Sequence, residues 1–214
     1  MYKAILFDLD GTLLNTLDDL NESMNKVLVK NGYKEQTKDE TRRFVGNGVR
    51  KLVERSLPGE SAELYDKIEA QFKECYAKNM RNKTAPYEGI EELLIALKER
   101  QVKVGVVSNK FDGAVKSLCK EIFGEYTQVA VGERAGVRKK PAPDSVLAAI
   151  EELGVKKEEA IYAGDSDVDI ETAKNAGIKS IGVTWGFRNR ELLISCGADF
   201  LADRAEDILK IVCG

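Results

Sequence analysis

The chain has 214 residues, 43% of them hydrophobic and 32% charged, with a formal net charge of -3. That is enough for one α/β domain of ordinary size and a small insert, and the charge gives no reason to expect nucleic-acid binding. There is no histidine and there are four scattered cysteines. His-dependent triads and His-ligated metals are therefore excluded, a reduced cytoplasmic protein is implied, and any metal must be held by oxygen, with Mg2+ the first choice.

The chain opens on a buried strand, Ala4 to Phe7, that ends abruptly in Asp8-Leu-Asp-Gly-Thr12. If strand geometry persists, Asp8 and Asp10 point the same way, and two such charges about 4 Å apart repel by roughly 4 kcal/mol at an effective dielectric of about 20. A bound divalent cation or a proton would offset that repulsion. Gly11 permits a sharp turn and Thr12 offers a hydroxyl to a ligand.

Helical periodicity follows. Leu17, Leu20, Met24, Val27 and Leu28 mark one helix closed by Gly32, and Val49, Leu52, Val53 and Leu57 a second. Leu64, Ile68, Phe72, Cys75 and Tyr76 mark a third, and nothing between about 15 and 84 reads as a strand. This block, 15-84, is expected to be a helical cap domain, with residues 1-14 and 85-214 forming the α/β core. Within it, Gly46-Asn47-Gly48 with Arg50 and Lys51 loosely resembles a phosphate loop but lacks the Walker spacing. It is read as a cap loop facing substrate, where Arg50 could meet a substrate carboxylate. Cys75 and Arg81 satisfy the Cys-x5-Arg spacing of cysteine-dependent phosphatases, but they sit on a helix without glycine and are set aside.

From Gly89 strands and helices alternate. A helix over Ile90 to Leu97 precedes a strand, Val102 to Val107, stopped by Ser108-Asn-Lys110; a helix through Val115 and Ile122 leads to a short strand near Gln128 to Val131. Pro141-Ala-Pro-Asp144 opens the next helix, and the strand Ala160 to Ala163 runs into Gly164-Asp-Ser-Asp-Val-Asp169 and a helix to Gly177. A strand Ser180 to Val183, another near Asp199 to Leu201 and a last helix complete the chain. Such alternation predicts an α/β, doubly wound, mostly parallel sheet with functional loops at the carboxyl ends of its strands. On that edge Asp8, Asp10, Ser108, Asn109, Lys140, Asp165 and Asp169 can meet.

Asp8-Leu-Asp-Gly-Thr12, Ser108, Lys140-Pro141 and Gly164-Asp-Ser-x-x-Asp169 resemble, in order, the four motifs of the haloacid dehalogenase-like superfamily, and the helical insert resembles its cap. Thr12 to Leu20, Val45-Gly-Asn-Gly48, Ser108-Asn-Lys110 and Lys140-Pro-Ala-Pro-Asp144 are most similar to the phosphoglycolate phosphatase branch. The resemblance implies that Asp8 attacks phosphorus and becomes an aspartyl phosphate, while Asp10 serves as general acid and then general base. It implies Mg2+ held by the Asp8 carboxylate, the Asp10 backbone carbonyl and Asp165, with Asp169 orienting metal-bound water or Lys140. Ser108, Asn109 and Lys140 would serve the phosphoryl oxygens, and Thr12, Gly46, Asn47 and Arg50 would help bind substrate. The partner expected is a small phosphorylated metabolite, 2-phosphoglycolate first. Pyrophosphatase, sugar-phosphate phosphatase, phosphoglucomutase-like phosphotransferase and a non-catalytic phosphate- or metal-binding regulator are the alternatives. No nucleic acid or membrane partner is expected, and the chain is expected to be a monomer or homodimer.

Overall fold

A computed structural model describes residues 1–214. In chain order the elements are β1 (Ala4–Phe7), β2 (Leu14–Asn15), α1 (Leu17–Lys30), α2 (Lys38–Phe44), α3 (Val49–Ser56), α4 (Ala62–Asn79), β3 (Ala85–Pro86) and α5 (Ile90–Glu99). They continue as β4 (Lys103–Phe111), α6 (Asp112–Leu118), β5 (Val129–Glu133), α7 (Asp144–Leu153), β6 (Ala160–Gly164), α8 (Asp167–Ala176), β7 (Lys179–Val183), α9 (Arg190–Ser195), β8 (Phe200–Ala202) and α10 (Ala205–Cys213). The chain divides into two compact units, Met1–Leu14 with Pro86–Gly214, and Asn15–Ala85.

The first unit is the α/β fold that the alternation predicts: a six-stranded sheet in the order β5-β4-β1-β6-β7-β8, parallel throughout. β1 is central, paired with β4 and β6, and all four of its side chains are buried. A continuous apolar run is what a strand covered on both faces requires, and burying Ile5, Leu6 and Phe7 contributes about 1.5–3 kcal/mol each. Leu6 faces a core shared with Val107, Val146, Ile150, Leu153, Tyr162 and Ala173, which belong to the strands and to α7 and α8. The crossovers after β1, β5 and β6 all leave from the same sheet edge, which is why their loops converge.

β4 runs to Phe111, beyond the stop expected at Ser108. A register shift against β5 falls between Val107 and Phe111, the stretch that keeps the buried polar segment Ser108-Asn-Lys110 within the strand. Past it, a side chain at Gly132 would fall 2.6 Å from the Lys110 carbonyl oxygen, so only glycine allows β5 to lie this close.

The second unit is helical. Its additional helix α2 carries one buried residue, Thr41, and hence no apolar periodicity; a capping box, with Glu40 accepting from the Thr37 backbone and the Thr37 hydroxyl accepting from Glu40, starts it instead. Asp19, fully buried on α1, accepts from the backbone of Lys83 (3.0 Å) and from the backbone and hydroxyl of Thr84 (2.9 Å each), fastening the end of the unit to its beginning. No helix is long and apolar enough to cross a membrane.

Candidate active site

Asp8 is the first residue past β1, and its backbone N–H continues the ladder by donating to the Ala163 carbonyl at 2.9 Å. Its main chain is thereby fixed at the sheet edge. Lys140 Nζ lies 3.0 Å from Asp8 Oδ1 and 2.7 Å from Asp169 Oδ1, with the lysine side chain 2% exposed. The Tyr162 hydroxyl, which donates to the Val107 carbonyl, accepts a further bond from the same ammonium at 2.9 Å. Although Lys140 is near it, Asp8 Oδ1 makes no well-directed hydrogen bond.

Burial would lower the Lys140 pKa, but Asp169 and Asp8 outweigh it and keep the ammonium well above its ordinary value. Burial pushes the Asp8 carboxyl up to about 6, against the pull of Lys140 and with help from Asp169 and Asp10. Asp165 is driven well above the usual carboxylate range by burial, then by Asp169 and Asp8; hydrogen bonds from Phe187 and Thr12 oppose the shift.

The other motif residues set this geometry. Asp169 Oδ2 accepts from the Ser166 backbone (3.1 Å) and hydroxyl (2.6 Å), so Ser166 and Asp169 close the start of α8 while Asp165, one residue before, is left to face the site. Asp165 instead accepts from the Thr12 hydroxyl at 3.2 Å and the Phe187 backbone at 2.7 Å. Thr12, read from sequence as a substrate contact, thus steadies Asp165. Asn109, expected to donate to a phosphoryl oxygen, brackets the Lys140 backbone: its amide donates to the carbonyl (3.0 Å) and its carbonyl accepts from the N–H (2.9 Å). Ser108 is buried beside it and accepts from the Lys110 N–H at 3.3 Å.

The loop after β7 was harder to read from sequence. Trp185 Nε1 donates to the Thr12 carbonyl at 3.0 Å. Gly186 sits so close to Asp165 that a methyl group there would lie 2.6 Å from its Oδ2 and 2.5 Å from the Gly11 carbonyl oxygen. The signal in the sequence is Thr184-Trp-Gly-Phe187 at a strand's end, where Trp185 and Arg188 suit the site entrance and core packing or a surface role equally. In the helical unit, Arg50 is engaged by Glu54 at 3.1 Å, by Asp66 and, at 3.7 Å, by Glu69, and it packs over the Tyr65 ring. Gly46 and Asn47 lie in the turn before α3, where the Asn47 side chain accepts from Arg55 at 2.8 Å.

Asp8, Asp165 and Asp169 each offer an oxygen within 4.8 Å of the others. With Asp10 they make four carboxyl groups facing two ammonium groups, Lys140 and Lys110, which when fully ionised is an excess of two negative charges. The donors are all oxygen, Asp8 Oδ1 makes no well-directed hydrogen bond, and two carboxyls carry raised pKa values. These features fit a hard divalent cation beside Asp8 and Asp165. Asp169 is already taken by Lys140 and Ser166.

A parallel sheet bearing a strand-end aspartate, a buried lysine and an acidic loop at one edge is the frame of a known hydrolase class, and comparison agrees. A family model described as haloacid dehalogenase-like hydrolase matches residues 5–183. The phosphoglycolate phosphatase of Aquifex aeolicus is 35% identical over 98% of this chain and 96% of its own length. The pyrophosphatase PpaX of Listeria monocytogenes is 31% identical over 98% and 95%. A crystal structure from Lactobacillus delbrueckii subsp. bulgaricus superposes with a TM-score of 0.95 at 35% identity, covering 100% of this chain and 99% of the other. The chain therefore belongs to the haloacid dehalogenase-like hydrolase family. Within it, the chain stands in the branch that resembles the phosphoglycolate phosphatases.

Proposed function

We propose that this chain is a Mg2+-dependent phosphatase that hydrolyses small phosphorylated metabolites, 2-phosphoglycolate foremost, through a phosphorylated Asp8. The observation that carries this reading is Asp8 itself: a buried strand-end carboxylate with one oxygen 3.0 Å from a buried ammonium. Such a carboxylate is poised to attack phosphorus, and splitting the reaction at a covalent intermediate replaces one hard displacement by two easier ones.

Each neighbour has work in that sequence. Lys140, held by Asp169 and Asn109, places a fixed positive charge where the equatorial phosphoryl oxygens gather, and Ser108 offers a buried hydroxyl next in sequence to Asn109. Asp10 gives a proton to the departing alkoxide and later takes one from the attacking water. Asp8, the Asp10 carbonyl and Asp165 would hold Mg2+, which when bound neutralises the carboxylates' repulsion of a dianionic phosphate ester. The similarity to phosphoglycolate phosphatases over nearly the whole chain supports the substrate; the similarity to PpaX favours inorganic pyrophosphate as the second reading.

The test is phosphate release from 2-phosphoglycolate, hexose phosphates and pyrophosphate, with and without Mg2+. Preferential Mg2+-dependent turnover of 2-phosphoglycolate is expected; a strong preference for pyrophosphate selects the second reading. Activity retained by Asp8→Asn rejects the covalent route.

A further inference from the structure

Lys110 is a buried lysine for which the steps above have no use. Its side chain is 3% exposed, and its ammonium grips both oxygens of the Asp10 carboxylate, 2.8 Å from Oδ1 and 3.1 Å from Oδ2. The other buried lysine, Lys140, contacts Asp8, Asp169 and Tyr162. The backbone that presents it is specially built. Lys110 falls within the register shift of β4 against β5, a device that re-aims side chains. Its N–H is held by the Ser108 hydroxyl, and its carbonyl lies against Gly132, whose own N–H donates to Asp112 at 3.0 Å. A long side chain free to point to solvent would keep its rotamer freedom; holding this one buried against the Asp10 carboxylate gives that freedom up.

We propose that Lys110 is the positioning residue of Asp10: by chelating both oxygens it fixes the carboxylate in the orientation from which Asp10 exchanges a proton with the leaving group. This rests on Asp10 being the general acid. An acid displaced by about 1 Å loses on the order of a hundredfold in rate, so the gain from a fixed carboxylate is large.

The experiment compares kcat/KM for an alkyl phosphate, whose alkoxide needs a proton to leave, and p-nitrophenyl phosphate, whose phenolate leaves without one. Lys110→Met is expected to lower kcat/KM on the alkyl ester by roughly 10–100-fold and on the aryl ester by less than about threefold. In an Asp10→Asn background the same substitution is expected to cost nothing further. Equal losses on both esters, or a full additional loss in the Asp10→Asn background, would show Lys110 acting on the phosphoryl group or on the fold and overturn the proposal. Should the Met variant fail to fold, Lys110→Arg gives the same comparison, since its planar fork keeps the charge but shifts the carboxylate. Asp10→Asn alone tests the underlying reading: unchanged turnover of the alkyl ester would sink the general-acid assignment whatever Lys110 does.

Discussion

Lys140 and Asp169 meet at 2.7 Å with side chains 2% and 1% exposed, an ion pair shut away from water on every side. Removing one member of such a pair strands the other. Asp169→Asn is expected to destabilise the protein by about 3–5 kcal/mol in urea denaturation and to lower kcat. A variant of native stability and native rate would show that the pair does not hold Lys140 in place.

Protons and a divalent cation compete for Asp8. Between its ordinary value of 3.8 and about 6, an unfolded chain has released this proton while the folded chain retains it. Stability of the metal-free protein therefore falls as pH rises through that window, with the loss complete above about 6. The Mg2+-induced rise in melting temperature is expected to be small at pH 5 and large at pH 7. A pH-independent Mg2+ effect would place the cation away from Asp8.

Asn109 donates and accepts toward the Lys140 backbone, so truncating it leaves two buried backbone groups without partners. Asn109→Ala is expected to cost roughly 2–4 kcal/mol of stability together with a fall in kcat. If stability were native and only KM rose, Asn109 would be a direct phosphoryl contact, as the sequence suggested.

The approach of Gly186 to Asp165 leaves no room for a methyl group. Gly186→Ala is expected to push Asp165 aside and raise the Mg2+ concentration needed for half-maximal activity by about tenfold or more. An unchanged Mg2+ requirement would mean that Asp165 does not contact the cation.

The sheet and the strand-end residues were legible in the sequence because apolar runs and helical spacing are local signals, and Asp8, Lys140, Asp165 and Asp169 do come together at one edge. What could not be read was how neighbours share the polar groups. Asn109 and Thr12 carry side chains suited to phosphate, yet fixing Lys140 and Asp165 occupies them, and their partners lie 31 and 153 residues away. Arg50 reads as a carboxylate binder, and the carboxylates it meets are Glu54, Asp66 and Glu69 of its own unit. Short α2 and α9 escaped periodicity because each buries a single residue; Thr37 with Glu40, and Asn189 accepting from Leu192 N–H, were the available cues.

The central place of β1 has a bearing on biosynthesis. Ala-Ile-Leu-Phe is made long before the partner on one of its flanks, β6, which ends at Gly164. Until β6 has been made, a wholly apolar strand therefore keeps an open hydrogen-bonding flank, a template for mispairing with other nascent chains. Only once β6 and the loop after β7 have been made is that flank closed and Asp165 cradled.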